Sequence, residues 1–424
     1  MRYALCLFTI KVHTYFKDKT AIFKELGVKK LLLYPPALIF VSILLFVAKF
    51  WKVNLHTIVN SRIGHFAANT ELSVLATYDL KNRSQKREIN IFCFQTPKSA
   101  NTYLEKMWLR RQKMFTGDWS WVVLDIAKRL ALSHMLIPTT NTDRHGLLLS
   151  KSLILSFDRN EIDVGRNFLE AIRIDADQPF VCLNVRDARF LKESEPLGWS
   201  KNRDWSYHDY RDTDIQDYVA AAEALANMGY PVFRMGAMVA NPLITGHPLV
   251  FDYATNGMRN EFLDIYLAAH CKFCVSTGTG WDSVPQLFRR PTMYVNMTPM
   301  LIEACIGREL TIYPKILLDS TTGKELTLNQ IFSKDSHNAP FADNYAKAEV
   351  AIRDMNSDEL VEAVTEMAAR VEGTFVESPA QKQMQAKLKH ILSTHPKLQP
   401  TPGYYPIRAE FASCFLSRYS NFLD

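Results

Sequence analysis

The stretch KFCVSTGTGWDS, Lys272 to Ser283, runs an apolar β-type triplet, Phe273-Cys274-Val275, into Ser276-Thr277-Gly278-Thr279-Gly280 and then into a helix start at Trp281 and Asp282. Small residues between a strand's exit and a helix's entry form the βα turn of a parallel sheet. Glycines there let backbone amides approach a ligand closely, and the open amides of the following helix favour an anion such as phosphate. A Gly-rich turn without a ligand has the same spelling. A Walker loop is excluded, because no Lys-Ser or Lys-Thr follows the glycines, and the G-x-G-x-x-G spacing is absent.

Working outward, strands and helices alternate on both sides. Upstream, Phe180 to Val185 reads as a buried strand ending on Arg186-Asp187, followed by the polar and aromatic loop Glu193 to Arg211 and a helix over Asp214 to Met228. Pro231 to Met235 and Leu249 to Asp252 read as strands, and Glu261 to Ala269 as a helix. Downstream, Trp281 to Phe288 is helical and Thr292 to Asn296 is a strand. Such alternation predicts a parallel sheet, with a ligand crevice at the carboxyl ends of its strands. A first α/β unit precedes it: strand Val53 to Val59, loop Asn60 to His65, helix Phe66 to Tyr78, strand Ile89 to Phe94, and helices over Ser99 to Met114 and Val122 to Met135. Residues 138–174 read as short helices and loops. Beyond Pro299 the pattern is irregular until Asn356-Ser357 caps a helix over Asp358 to Val371. The chain thus divides into an N-terminal segment 1–52, α/β domains over 53–175 and 176–399, and an aromatic tail 400–424 expected to pack on the body.

The length of 424 residues, with 47% hydrophobic and 22% charged residues, is that of a globular chain with a real core and excludes a disordered or fibrous one. Net charge is +6, and the first thirty residues carry Arg2, Lys11, Lys17, Lys19, Lys24, Lys29 and Lys30 against only Asp18 and Glu25. No aromatic-interleaved basic stripe recurs later, so the expected partner is a lipid surface and not nucleic acid. Leu31 to Phe50 is nearly all apolar, with Pro35-Pro36 near its start. It reads as an interfacial helix against anionic lipid, a single transmembrane anchor, or a buried helical hairpin of the first domain; membrane association is the expectation. A cleavable signal peptide is not expected. Seven scattered cysteines read as reduced, buried thiols, and His270, Cys271 and Cys274 lack a second ligand pair for structural zinc.

Arg186, at a strand's carboxyl end in the same sheet as the Ser276–Gly280 turn, has the chemistry to fork onto a pyrophosphate; the structural alternative is an ion pair with Asp187 or Asp252. No D-x-D metal motif ends a strand in this half, since Asp212-Thr213-Asp214 begins a helix, so no metal is expected.

The ordered set NVRD (Asn184 to Asp187), W-x-YHDYR with D-I following (Trp205 to Ile215), GYPVFRMG (Gly229 to Gly236), FDYA (Phe251 to Ala254), EFLDIYLAAHCKF (Glu261 to Phe273) and the STGTG turn resembles a family of bacterial glycosyltransferases. The loop SRIGHFAANTEL, Ser61 to Leu72, is similar to that family's opening loop, and together these cover most of Ser61 to Pro299. The resemblance implies a GT-B-like α/β fold, with two Rossmann-like domains facing across a cleft and the donor nucleotide sugar on the C-terminal one. The strand-end arginine with a later small-residue turn also looks like the donor site of GDP-fucose-using transferases.

On that resemblance, Arg186 holds the donor diphosphate and steadies the leaving group. Ser276, Thr277, Gly278, Thr279 and Gly280 cradle phosphates, Asp282 accepts from a hydroxyl or caps a helix, and Arg234 and Gly236 line the base or ribose pocket unless Arg234 serves a salt bridge. Arg62 and His65 lie on the acceptor side, where His65 alternatively caps backbone. His208, Tyr210 and Arg211 contact a sugar or form a solvated loop. Asp209, Asp187 and His65 are the candidate bases. The implied activity is transfer of a sugar from a nucleotide sugar, a substrate and not a cofactor, to a surface-glycan or lipid-linked acceptor. The expected place is the inner face of a bacterial membrane, with the protein peripherally bound or singly anchored. A nucleotide-sugar epimerase of the same fold and a non-catalytic nucleotide-sugar-binding module are the rivals.

Overall fold

A computed structural model describes residues 28–81, 87–139, 143, 146–193, 206–301, 310–398 and 408–424. Most of the basic N-terminal segment, part of the loop after Glu193 and the tail residues Tyr404 and Tyr405 lie outside the described residues. The chain forms two compact units, one of residues 1–100 and 108–140, the other of 101–107 and 141–424. The division thus falls near residue 140, ahead of the boundary at 175 expected from the sequence, because the helix Arg159–Ala171 packs with the second unit's helix Glu261–His270.

The first unit is a four-stranded parallel sheet, β1 (Lys52–Ile58), β2 (Glu88–Phe94), β3 (Met114–Phe115) and β4 (Leu136–Pro138), in the order β3-β2-β1-β4. β1 is buried at six of its seven positions, the pattern of a central parallel strand. The apolar segment that the sequence marks as membrane-associating forms the helix Tyr34–Val47, with Pro35 and Pro36 in its first turn, where proline lacks no needed hydrogen bond. The prolines start the helix and do not interrupt it. Ala37, Val41 and Leu44 are buried against Val53, Leu55 and the helix Gly117–Arg129. Removing side chains such as Val41 and Leu44 from water contributes about 1.5–3 kcal/mol each. One face of the segment is therefore core of the first unit. Among the described residues no helix is long and apolar enough to cross a membrane.

The second unit is a seven-stranded parallel sheet: β5 (Val181–Asn184), β6 (Val232–Arg234), β7 (Val250–Phe251), β8 (Phe273–Ser276), β9 (Thr292–Met297), β10 (Leu310–Pro314) and β13 (Glu410–Phe411), ordered β13-β10-β9-β8-β5-β6-β7. From β7 to β10 this is the 3-2-1-4-5-6 order of a doubly wound dinucleotide-binding sheet, and the first unit repeats its 3-2-1-4 half. A short antiparallel pair, β11 (Ile316–Asp319) and β12 (Val350–Arg353), stands apart. Phe411, Phe415 and Phe422 of the chain's last segment are buried in the core cluster that also contains the apolar face of the helix Ser357–Glu372.

The sequence reading left two regions irregular that are ordered here. Arg159–Ala171 is helical, held by a capping box in which Asp158 accepts from the Glu161 amide and Glu161 from the Asp158 amide. β10 to β12 and the helix Pro379–Thr394 lie beyond Pro299.

Candidate functional site

The chain leaves β5 toward β6 and β7 on one side and returns as β8 on the other, so the strand order reverses between β5 and β8. At such a switch point the loops leaving the two strands diverge and open a crevice at their carboxyl ends. Arg186 leaves β5 there and the Ser276–Gly280 turn leaves β8. The two exits are laced together: the Thr277 amide donates to the Asn184 carbonyl at 3.2 Å, the Arg186 amide to Thr277 Oγ1 at 2.9 Å, and Asn184 Nδ2 to Thr279 Oγ1.

The turn itself is satisfied from within. Gly278 N donates to Ser276 Oγ at 3.2 Å, Thr279 N to Asp282 Oδ2 at 2.7 Å and Trp281 N to Thr279 Oγ1 at 3.2 Å, while Ser276 Oγ donates to the same Asp282 oxygen at 2.8 Å. Ser276, Thr277 and Gly278 are buried, and Asp282 places its carboxylate where the phosphate cradle was expected. Of the five residues expected to cradle phosphate, the amides of Thr277, Gly278 and Thr279 are engaged within the two strand exits, and partly buried Thr279 and exposed Gly280 reach the surface. Asp282 braces the turn and makes no cap hydrogen bond to the helix Ser283–Leu287. Gly278 is needed as glycine, since its φ of +76° disfavours a side chain and a Cβ would lie 3.0 Å from Met297 Sδ.

Positive charge gathers in front of this wall. Arg186 Nε donates to Asp212 Oδ1 at 3.0 Å, so its ion-pair partner is Asp212 and neither Asp187 nor Asp252. Arg211 Nη2 donates to the Gly278 carbonyl at 2.7 Å, placing Arg211 beside the turn. Lys315, buried after β10, donates to the carbonyls of Tyr210 at 2.9 Å and Asp212 at 3.1 Å and pairs with Asp354 at 2.7 Å. Burial, then the neighbouring Arg211, pulls the Arg186 guanidinium below its ordinary pKa, with Asp212 opposing. Burial also raises the Asp212 carboxyl, against the pull of Arg186.

The other candidates are engaged in contacts of their own. Arg234 is 1% exposed and donates to Asp252 Oδ1 at 3.0 Å, whose second oxygen accepts from the Leu243 amide. It braces the loop around β7, which corrects its placement on an open base pocket. Gly236 packs so closely that a Cβ would sit 2.5 Å from Val239 Cγ1. Asp187 accepts from the amides of Arg189 and Ala240, a loop clamp in place of a base. Tyr210 lies against Tyr345 and donates to the Ala339 carbonyl at 3.3 Å, and the His208 ring lies tilted against Tyr207 with centroids 4.2 Å apart. Asp209 is exposed on the same 3-10 turn, Ser206–Arg211.

In the first unit, β1 exits through Asn60, whose amide nitrogen donates to Thr96 O, Lys98 O and Ser99 Oγ while its oxygen accepts from Thr96 N and Oγ1. This fully buried side chain ties together the loops at the carboxyl ends of β1 and β2. His65 opens a π-helical turn, His65–Asn69, a backbone form that recurs at functional sites. Asn69 Nδ2 sits 2.6 Å from His65 Nδ1 and fixes the ring; while Nδ1 accepts from that amide, the neutral imidazole carries its hydrogen on Nε2. Burial, and secondarily Arg62, lowers the His65 pKa, so the imidazole is neutral at pH 7. Arg62 is exposed on the same loop.

Sequence reasoning missed Asp212, Lys315, Asn60 and Asn69. Lys315 had a signal, a lone lysine inside the apolar run LTIYPKILL; Asp212 and Asn60 are polar residues in polar loops, and Asn69 lies in the helical turn that His65 opens. Among the described residues no group of three or more His, Cys, Asp or Glu side chains is arranged to hold a metal ion.

No protein-family model and no curated protein sequence matches the chain. Solved structures that it resembles include the E. coli ADP-heptose lps heptosyltransferase II, at 13% identity and TM-score 0.38, covering 76% of this chain and 100% of that one. A glycosyl transferase family 9 protein from Veillonella parvula DSM 2008 shares 9% identity at TM-score 0.43, over 76% and 98% of the two chains. The dodecameric iron-containing heptosyltransferase TibC, determined with ADP-D-beta-D-heptose, shares 9% at TM-score 0.32, over 62% of each chain. These are distant likenesses of chain path, and no residue role is taken from them.

Proposed function

We propose that the protein is a glycosyltransferase that binds a nucleotide-sugar donor on its second unit and passes the sugar to a surface-glycan or lipid-linked acceptor at the inner face of a bacterial membrane. The observation that carries the donor site is the meeting of Arg186 and Arg211 with the β8 turn at the switch point between β5 and β8. In this reading Arg186, held by Asp212, takes the donor diphosphate and stabilises the charge that develops on the leaving group. Arg211, Thr279 and Gly280 complete the surface it presents. The buried members of the turn form the rigid wall behind it and do not touch the ligand. The step from nucleotide binding to sugar transfer rests on the resemblance of the ordered motifs from Ser61 to Pro299. His65 is the candidate to receive the acceptor's proton on Nε2, in the tautomer that carries its hydrogen on Nδ1 with the Asn69 carboxamide turned to accept it, and Asp209 is the alternative. No metal or cofactor enters this scheme.

A thermal-shift screen against nucleoside diphosphates tests the donor site. A ligand at about 100 times its dissociation constant adds roughly 2.7 kcal/mol, a readily measured rise in melting temperature. The expected result is a shift with one base, lost in Arg186→Ala; absence of a shift with every nucleotide overturns the assignment. Incubation with nucleotide sugars, with and without an acceptor extract, then separates transfer from epimerisation.

A further inference from the structure

The helix Tyr34–Val47 buries only half of its apolar surface. Opposite Ala37, Val41 and Leu44, the side chains of Ile39, Ile43 and Phe46 are 63%, 53% and 60% exposed, and Phe50 just beyond the helix is 71% exposed. At 100° per residue Ile39, Ile43 and Phe46 fall within an arc of about 60°, and Phe50, whose ring meets that of Phe46, extends the ridge past the helix end. The Phe46 and Phe50 rings meet edge to face at 5.6 Å, Lys49 Nζ lies 5.7 Å from the centre of the Phe46 ring, and Trp51 is exposed beside them. Large apolar side chains exposed in a row mark an interaction surface.

Charge selects the occupant. No aspartate or glutamate occurs between Glu25 and Glu71, a span that includes Lys29, Lys30, Lys49, Lys52 and Arg62. Divided by compact unit, the first holds twenty Lys and Arg against seven Asp and Glu, and the second thirty against thirty-seven. The chain's net +6 therefore conceals units of +13 and −7. Two copies of a +13 unit repel each other, which disfavours a second copy on the ridge, and a nucleic acid offers nothing to four bare apolar side chains. An anionic bilayer satisfies both features: acyl chains accept the ridge, headgroups attract the cations, and aromatic and lysine side chains at the ridge's end match the interfacial zone.

We propose that the Ile39–Ile43–Phe46–Phe50 ridge is the surface by which the folded first unit docks on an anionic lipid bilayer. The helix remains part of the unit's core and lies along the interface without crossing it. This deepens the membrane half of the proposed function and is independent of its sugar-transfer half.

The test is co-flotation of the full chain with phosphatidylglycerol-containing vesicles and with pure phosphatidylcholine vesicles, at low and high salt. The protein is expected to float with anionic vesicles at low salt and weakly otherwise. The triple variant Ile39→Gln, Ile43→Gln, Phe46→Gln is expected to lose about tenfold or more of that partitioning, with its melting temperature and its nucleoside-diphosphate shift unchanged. Wild-type protein that never floats, or a variant that floats as well as wild type, overturns the proposal. So does a wild-type dimer that the variant converts to monomer without wild-type flotation, because the ridge is then an interface between copies. An unchanged nucleotide shift in a variant that no longer floats shows that the donor site stands apart from the docking surface.

Discussion

Arg186 was legible in the sequence as an arginine at a strand's end, but its partner was not. Asp212 sits in a polar loop with no periodicity, and it meets Arg186 because Lys315 holds the carbonyls of Tyr210 and Asp212. Arg186→Ala is expected to lower turnover by about two to three orders of magnitude, the usual loss when one donor aimed at developing charge is removed. Arg186→Lys retains charge but not the fork and should recover only part of that loss; steady-state kinetics on both variants checks this. His65 makes a pH prediction. Its folded pKa is depressed, so the neutral base persists below the ordinary histidine value near 6.5, and kcat/KM should fall only as pH drops beneath that value. A pH profile of His65→Gln should lack this acid limb; an unchanged profile assigns the limb to another group.

At the scale of elements, strands and long helices were readable because their apolar periodicity is strong, and the turn after β8 was readable as a turn. What that turn's polar groups bind was not readable. The same spelling, S-T-G-T-G-x-D, lets Asp282 bend back and accept the hydrogen bonds that a phosphate would otherwise accept. Gly278→Ala forces a side chain at φ +76° and 3.0 Å from Met297 Sδ, and is expected to cost about 1–3 kcal/mol; Arg211 Nη2, 3.5 Å from the new Cβ, stays at ordinary contact distance, so nucleotide binding is expected to hold. Denaturant melts and nucleotide binding check the two expectations. Gly165→Ala, in the helix Arg159–Ala171, places a Cβ 2.0 Å from the Tyr266 ring; it is expected to destabilise by about 1–3 kcal/mol, measured by the same melts, without altering the donor site directly.

For the whole molecule, the proposed chemistry uses arginine where other transferases use a metal, so activity should survive EDTA in full; its abolition counts against the Arg186 scheme. The sequence by itself determined two α/β units, the strand exits at Arg186 and Ser276, and an apolar segment near the start, because hydrophobic period and turn chemistry are local and survive in a string of letters. Tertiary structure decided the rest. It showed that β5 and β8 are neighbours at a reversal of strand order, that Arg211 and Lys315 converge there with Asp212, and that Arg234 is buried. It also showed that one face of the helix Tyr34–Val47 is core while the other is bare. Each of these depends on which distant residues meet, and on which side of an element is left facing water, neither of which local periodicity encodes.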